Sequence, residues 1–411
     1  MNLLFIHANF PGQFLKLAPL LAQRCGGRCV FLTESDNPQG IALPGVELVR
    51  FAPHRDVRSD GHPYLRCSEQ AVLRGQAVIK ALEQLRGQGF VPDVVICHGG
   101  MGFGLFLKAY LPRTVLVSYM EWFFRSATSR HLYGTYNLHE QALVECTNLP
   151  VLQELVQADR IVCPTQWQRS QFPPEWQPRI ELIFDGVDLD FFQPQAWSGE
   201  VVLSSGEERS PVHLRSDQRV LSYATRGMEP LRGFPEFMRA AAVAQQQDPQ
   251  LQVVVAGRDR VVYSYRSPHS SGSWKQQMLE ELDGQLDLER LHFTGLINYG
   301  DYKRLLWRSD LHCMFSRPYV ISWGLFQAAA CGARLLVNQG PGLAEVFARP
   351  LERPAVELDN QAAVTQAVLA GLAEPRSQQL PVANLRPEYE LRHCLRQWLA
   401  LLEGCRSALQ S

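Results

Sequence analysis

Two arginines six residues apart, Arg226 and Arg232, stand in a loop that follows an apolar strand at residues 220–224. A guanidinium presents paired N–H donors that fit phosphate oxygens. Downstream, residues 316–346 read as loop, helix, strand, Gly-rich turn and helix. Ser322 stands where its hydroxyl caps that first helix, and Gly332 where it ends it. A helix N-terminus facing a cleft offers free amides and a positive dipole end to an anion. An ordinary βαβ unit has the same outline. In the first half, His98 ends the strand at residues 93–97, and ligands of open α/β sheets sit beyond such strand ends. His98 serves either that purpose or the turn itself. Glu121 stands among Tyr119, Trp122 and Phe123 after the strand at 114–118. It is a functional carboxylate, or the partner of Arg125 or Arg130 in a solvated ion pair of small energetic weight.

The elements that would position these groups alternate strand and helix. Residues 2–7 form an apolar run and lead into Ala8-Asn9-Phe10-Pro11-Gly12-Gln13. Phe14, Leu17, Ala18, Leu20 and Leu21 then share one helical face. Strand, Gly loop and helix open a doubly wound domain, with loop amides near a ligand phosphate. No GxGxxG follows, which disfavours a dinucleotide-dependent dehydrogenase. Helical character runs over 66–86 and 129–150. Residues 194–217, rich in Ser, Glu and Gly, read as a linker. A second β-α-β-α series begins at 218, and an amphipathic helix with Leu391, Leu395, Trp398, Leu401 and Leu402 on one face closes the chain. The expected organisation is a Rossmann-like domain over 1–193, the linker over 194–217, a second Rossmann-like domain over 218–387 and the final helix over 388–411. Clefts between two such domains commonly take ligands.

At 411 residues the chain is long enough for two domains, and its net charge of −1 offers no field for nucleic acid. The ten cysteines include no CxxC pair, and Cys25 and Cys29 lack a matching second pair, so zinc is not expected. His131 and His139 lack a third ligand. Scattered cysteines on apolar segments fit a reducing cytosol. The N-terminus lacks the outline of a signal peptide, and no apolar run reaches transmembrane length.

The order of landmarks resembles the retaining family 4 glycosyltransferases, which have the GT-B fold: two Rossmann-like α/β domains facing a central cleft, with a C-terminal helix crossing back to the first. The likeness spans nearly the whole chain and is strongest over 221–346. Phe10-Pro11-Gly12-Gln13-Phe14 matches the Gly loop near the donor phosphate, and Ile183-Phe184-Asp185-Gly186-Val187-Asp188 resembles the turn before the linker. Arg226 with Arg232-Gly233 resembles the basic pair that neutralises the donor pyrophosphate. The 316–346 stretch resembles the family's acidic motif, but Tyr319 and Gln327 stand where that motif has two glutamates. A Gln amide can still bond ribose hydroxyls, while a tyrosine cannot replace a carboxylate.

The resemblance implies a cytoplasmic retaining hexosyltransferase of polysaccharide biosynthesis, working without metal or cofactor, on a nucleotide-diphosphate sugar as co-substrate. The acceptor would be a glycan, lipid or small molecule held by the first domain, with peripheral contact at the inner membrane face compatible. Donor-binding residues would be Gly12, Gln13, Arg226, Arg232, Gly233, Tyr319, Val320, Ser322 and Gln327. His98 or Glu121 would serve as base or orient the acceptor. The departing phosphate would meet arginines and helix amides rather than a cation. Asp188 and Asp190 read as structural. The missing glutamates motivate a second reading, a GT-B scaffold that has lost turnover and binds a glycan or protein. A nucleotide-sugar epimerase would show paired carboxylates and histidines in the cleft, where the sequence offers single candidates.

Overall fold

The computed structural model describes residues 1–37, 40–196, 199–204, 211–375 and 381–410. The chain forms two compact units. Unit 1 holds residues 1–128, 136–186 and 388–411; unit 2 holds 129–135 and 187–387.

Unit 1 is built on seven parallel strands: β1 (Leu3–His7), β2 (Cys29–Thr33), β3 (Glu47–Arg50), β4 (Val94–His98), β5 (Val115–Tyr119), β6 (Arg160–Cys163) and β7 (Ile180–Leu182). Their order in the sheet is β3-β2-β1-β4-β5-β6-β7. Strands buried on both faces read as unbroken apolar runs, as LLFI in β1 and VVIC in β4 do. Side chains alternate between faces. Leu3 and Phe5 pack with the helix Leu17–Cys25 and the helix Leu391–Gln410, whereas Leu4 and Ile6 pack with the helix Arg66–Gly87. Trp398, fully buried, donates Nε1–H to the Phe184 carbonyl at 3.1 Å and stacks on Tyr119 at 6.2 Å. Gly186, at φ +92°, makes room for that last helix, because a Cβ there would lie 2.5 Å from Leu391 Cα.

One expectation changes in this half. The helical stretch expected to end near Pro150 is one helix, Leu138–Gln157, with Pro150 buried inside it. Proline in a helix removes one hydrogen bond. Here a capping box holds the N-terminus, with Asn137 accepting from the first turn and Glu140 from the Asn137 amide at 2.9 Å. Packing of Val144, Val151 and Leu155 carries the helix past the proline.

Unit 2 has five parallel strands: β10 (Arg219–Gly227), β11 (Leu251–Arg258), β12 (Leu291–Gly295), β13 (Leu311–Met314) and β14 (Leu335–Val337), in the order β12-β11-β10-β13-β14. Leu221, Tyr223, Val253 and Val255 face a core with the helix Phe234–Gln247. The stretch 194–217, expected as a linker, contains an antiparallel pair, β8 (Val201–Leu203) and β9 (Val212–Leu214); its residues 197–198 and 205–210 lie outside the described residues. Val201, Leu203, Val212 and Leu214 fill the other core of this unit beside Val220, Val254 and Leu305, so burial of alternate residues orders a segment whose composition is polar.

Candidate functional site

In each of the two parallel sheets the strand order reverses once, between neighbours whose connections leave toward opposite edges. That reversal opens a crevice at the carboxyl ends of the two strands. In unit 1 the two strands are β1 and β4; in unit 2 they are β10 and β13. Most of the chemistry-bearing residues cluster at these two places.

At the unit 1 reversal, the register Ile6 opposite Cys97 sets His7 level with His98. Their rings meet at 4.5 Å, nearly perpendicular. His98 is buried, and its Nε2 lies 3.1 Å from Glu121 Oε2. The other Glu121 oxygen accepts from Gln13 Nε2 at 3.3 Å. Gln13, His98 and Glu121, expected separately, therefore form one cluster, and His7 is the member that the sequence reading missed. Gly12 sits on the His7 ring: it has φ +54°, and a Cβ would come within 3.1 Å of that ring. The alternative pairing of Glu121 with Arg125 or Arg130 is not found. Arg125 donates to the carbonyls of Gln171 and Phe172, and Arg130 Nε donates to His131 Nε2. His98 Nδ1 is buried and has no hydrogen-bond partner among the described residues.

The loop that begins at His98 is held from below by a carboxylate. Glu154, fully buried, accepts the amides of Gly100 at 2.5 Å, Gly102 at 2.7 Å and Gly104 at 3.1 Å. Convergent amides of this kind form an anion nest. A side chain of the protein fills it. Burial pushes the Glu154 carboxyl up to about 7, against the pull of those amides and of His98. Gly102 has φ +95°, and a Cβ there would lie 2.3 Å from Ala71 Cα, so only glycine fits the loop at that point.

At the unit 2 reversal, Arg226 is exposed near the end of β10, within a register shift in its pairing with β11. Arg232 is buried and its Nη1 donates to Ser316 Oγ at 2.5 Å and to the Val320 carbonyl at 3.2 Å. Gly233, at φ +66°, follows it; a Cβ would lie 2.6 Å from Phe315 Cβ. Tyr263 joins these groups. Arg226 Nη1 donates to its hydroxyl at 3.3 Å, the Arg232 guanidinium lies over its ring at 5.4 Å, and the Tyr319 ring stands 5.4 Å away. Arg226, Arg232 and Tyr319 are thus brought together around a residue that the sequence reading left in a polar loop. Glu229 fixes this loop, its Oε2 accepting the amides of Val262, Tyr263 and Ser264 at 3.2, 2.9 and 2.8 Å.

The helix after Tyr319 is Trp323–Ala330. Ser322 is its N-cap residue, but its hydroxyl makes no capping bond, contrary to the expectation. Its carbonyl instead accepts the Leu325 amide at 2.9 Å. Gly332 follows the helix at φ +63°, in the left-handed conformation expected of it. Val320 is buried, whereas Gln327 is half-buried on the same open stripe of the helix as Trp323 and Gly324. Among the described residues no group of three or more His, Cys, Asp or Glu is arranged to hold a metal. Among the described residues no helix is long and apolar enough to cross a membrane.

Residues 25–192 match the family model described as the glycosyl transferase family 4 group, and residues 232–400 the model described as glycosyl transferase-like. No curated protein matches the chain. Among solved structures, sucrose-phosphate synthase from Thermosynechococcus elongatus is similar with a TM-score of 0.68 at 14% identity, over 99% of this chain and 100% of that one. Anabaena HepE, solved with UDP and glucose, gives 0.61 at 15%, over 98% and 100%. The catalytic domain of starch synthase IV from Arabidopsis thaliana, bound to ADP and acarbose, gives 0.60 at 12%, over 100% and 99%.

Proposed function

We propose that the chain, whose two halves each match a glycosyltransferase family model and which has the GT-B fold, moves a hexose from a nucleotide-diphosphate sugar to a glycan, lipid or small-molecule acceptor with retention. The observation that carries the donor side is the gathering of Arg226, Arg232 and Tyr319 around Tyr263 at the unit 2 reversal. Two guanidinium groups there can meet a diphosphate without a metal, and a fixed aromatic face can hold a planar or sugar ring.

Arg232 does two things in this reading. It shapes the turn from Ser316 to Val320, and it contributes positive charge beneath Tyr263. Exposed Arg226 supplies the mobile contact. Gln327 presents an amide on the open stripe of the next helix, suited to ribose hydroxyls.

The acceptor side falls to unit 1. His98 receives or orients the acceptor hydroxyl, and Glu121 with Gln13 sets its ring. In transfer with retention on one face, the departing phosphate takes the acceptor proton, so His98 has an orienting role that matters more than its basicity.

The test is a thermal-shift screen of UDP, GDP and ADP sugars, followed by donor hydrolysis with Arg226→Ala. A donor raises the unfolding midpoint by mass action, and the variant loses both the shift and hydrolysis. Absence of a shift with every nucleotide and nucleotide sugar sinks the donor reading. A shift without hydrolysis or transfer in any combination favours the scaffold that the two missing glutamates suggest.

A further inference from the structure

Unit 2 contains a cavity of about 350 Å³ that the donor reading does not use. Its size lies at the lower end for small-molecule sites, about 300–1,000 Å³. One wall comes from residues 129–135, which belong to unit 2 although the chain on either side of them belongs to unit 1. Gly134 lets this segment lie against Tyr265: a Cβ there would stand 3.0 Å from the ring.

The lining combines fixed aromatic rings with charges that are mostly paired; among the described residues Arg130 makes no ion pair and the buried Glu236 Oε2 accepts no hydrogen bond. Trp274 meets Tyr265 edge to face at 5.7 Å, and its Nε1–H is tied to the Tyr265 carbonyl at 2.9 Å. Arg317 pairs with Glu236 at 2.8 Å and with Asp359. Arg239 holds Glu281 through two bonds of 2.5 and 3.0 Å. His131 accepts from Arg130 Nε at 3.2 Å, so Nε2 is its bare nitrogen. Burial, with Arg317 and Arg130 alongside and Asp359 opposing them, holds His131 down to about 4, and it is neutral near pH 7.

These facts discriminate among ligands. An anion would have to displace Glu236 and Asp359 from Arg317 and would find His131 uncharged, leaving Arg130 as the one described lining cation without a carboxylate partner, itself bonded to His131. An apolar ligand would strand the ion pairs without water, which is costly. A neutral polyhydroxylated ring suits both sides of the lining. Each hydroxyl donates and accepts, matching guanidinium and carboxylate edges that are held in place, while the C–H face of a pyranose packs on an aromatic ring. We propose that this cavity is a second binding site, for the neutral sugar at the end of a glycan, separate from the donor-binding groups around Tyr263. Pro230 and Arg317 line it, and they lie within two residues of Arg232 and Ser316 in the chain, so an occupied cavity stands behind the turn that Arg232 shapes.

The experiment is binding of the full chain to an array of neutral and acidic oligosaccharides, with positives measured by saturation-transfer NMR. Trp274→Ala removes the aromatic wall. Asp359→Asn, at a mostly exposed position, neutralises one edge with little risk to folding. Neutral glycans bind the wild type, and each variant weakens them by about tenfold or more. UDP and ADP binding, read by thermal shift on the same proteins, is unchanged, which separates this site from the donor reading. Binding of acidic glycans alone, binding indifferent to both variants, or no neutral glycan bound overturns the proposal.

Discussion

His98 Nε2 and Glu121 Oε2 lie 3.1 Å apart across the ends of β4 and β5, and Gln13 holds the second oxygen of Glu121. If this pair orients the acceptor, its loss slows transfer without weakening the donor. His98→Ala lowers kcat by about 10²-fold or more, the range of a positioned acid–base or orienting group. Glu121→Gln, which keeps the shape and an acceptor oxygen, costs less. Nucleotide binding by calorimetry stays at the wild-type value in both. A matching loss of nucleotide affinity would place His98 on the donor instead.

Tyr263 predicts a graded effect on the donor side. Tyr263→Phe removes only the bond from Arg226 and raises the donor KM by a few fold, since one such bond is worth about 0.5–1.5 kcal/mol. Tyr263→Ala also removes the ring beneath Arg232, a cation–π contact of about 0.5–2 kcal/mol, and raises KM further. Equal KM values in the two variants would show that the ring contributes nothing.

Glu154 predicts a pH dependence of stability. Its carboxyl is raised from an ordinary value of 4.5 to about 7, so the folded chain binds its proton more readily than the unfolded chain. Between these values the folded state carries the extra proton, and stability from this group is full at lower pH and declines as pH rises to about 7. Glu154→Gln removes that slope. Urea unfolding at pH 5.5 and 8 measures it, and an unchanged difference between the two pH values in the variant refutes the assignment.

Trp398→Ala deletes the largest fully buried side chain of the chain's last helix. The loss is about 3–5 kcal/mol for a core Trp or Phe truncated to Ala. Denaturant unfolding reports it in unit 1. Unit 2 keeps its own transition, because its two described cores contain no residue of that helix.

What could be read ahead of the structure follows the range of the forces involved. The strand runs and the amphipathic last helix are local apolar patterns, and they gave two Rossmann-like sheets in order. The nearness of His7 to His98 is not local: parallel pairing of β1 with β4 creates it across the intervening β2 and β3. Glu154 and Glu229 were passed over because their role depends on loop amides turned toward them by tertiary structure. Tyr263 carried no signal beyond its polar neighbours. The pair β8 and β9 was hidden because each strand has three residues and becomes legible only against Leu305 and Val254. The Ser322 hydroxyl failed as a cap although the residue type and position were right, since propensity states what a side chain can do and packing decides whether it does.

Residues 388–410 complete the first unit after the whole of 187–387 has been laid down. During synthesis, then, the amino-terminal sheet leaves the ribosome early yet waits with a bare apolar flank for Trp398 and Leu402. The later half meets no such delay, as its strands and covering helices emerge together. Chains truncated before 388 and released from the ribosome should hold one finished body and one that recruits a chaperone, reversing the usual order in which the first-made portion matures first.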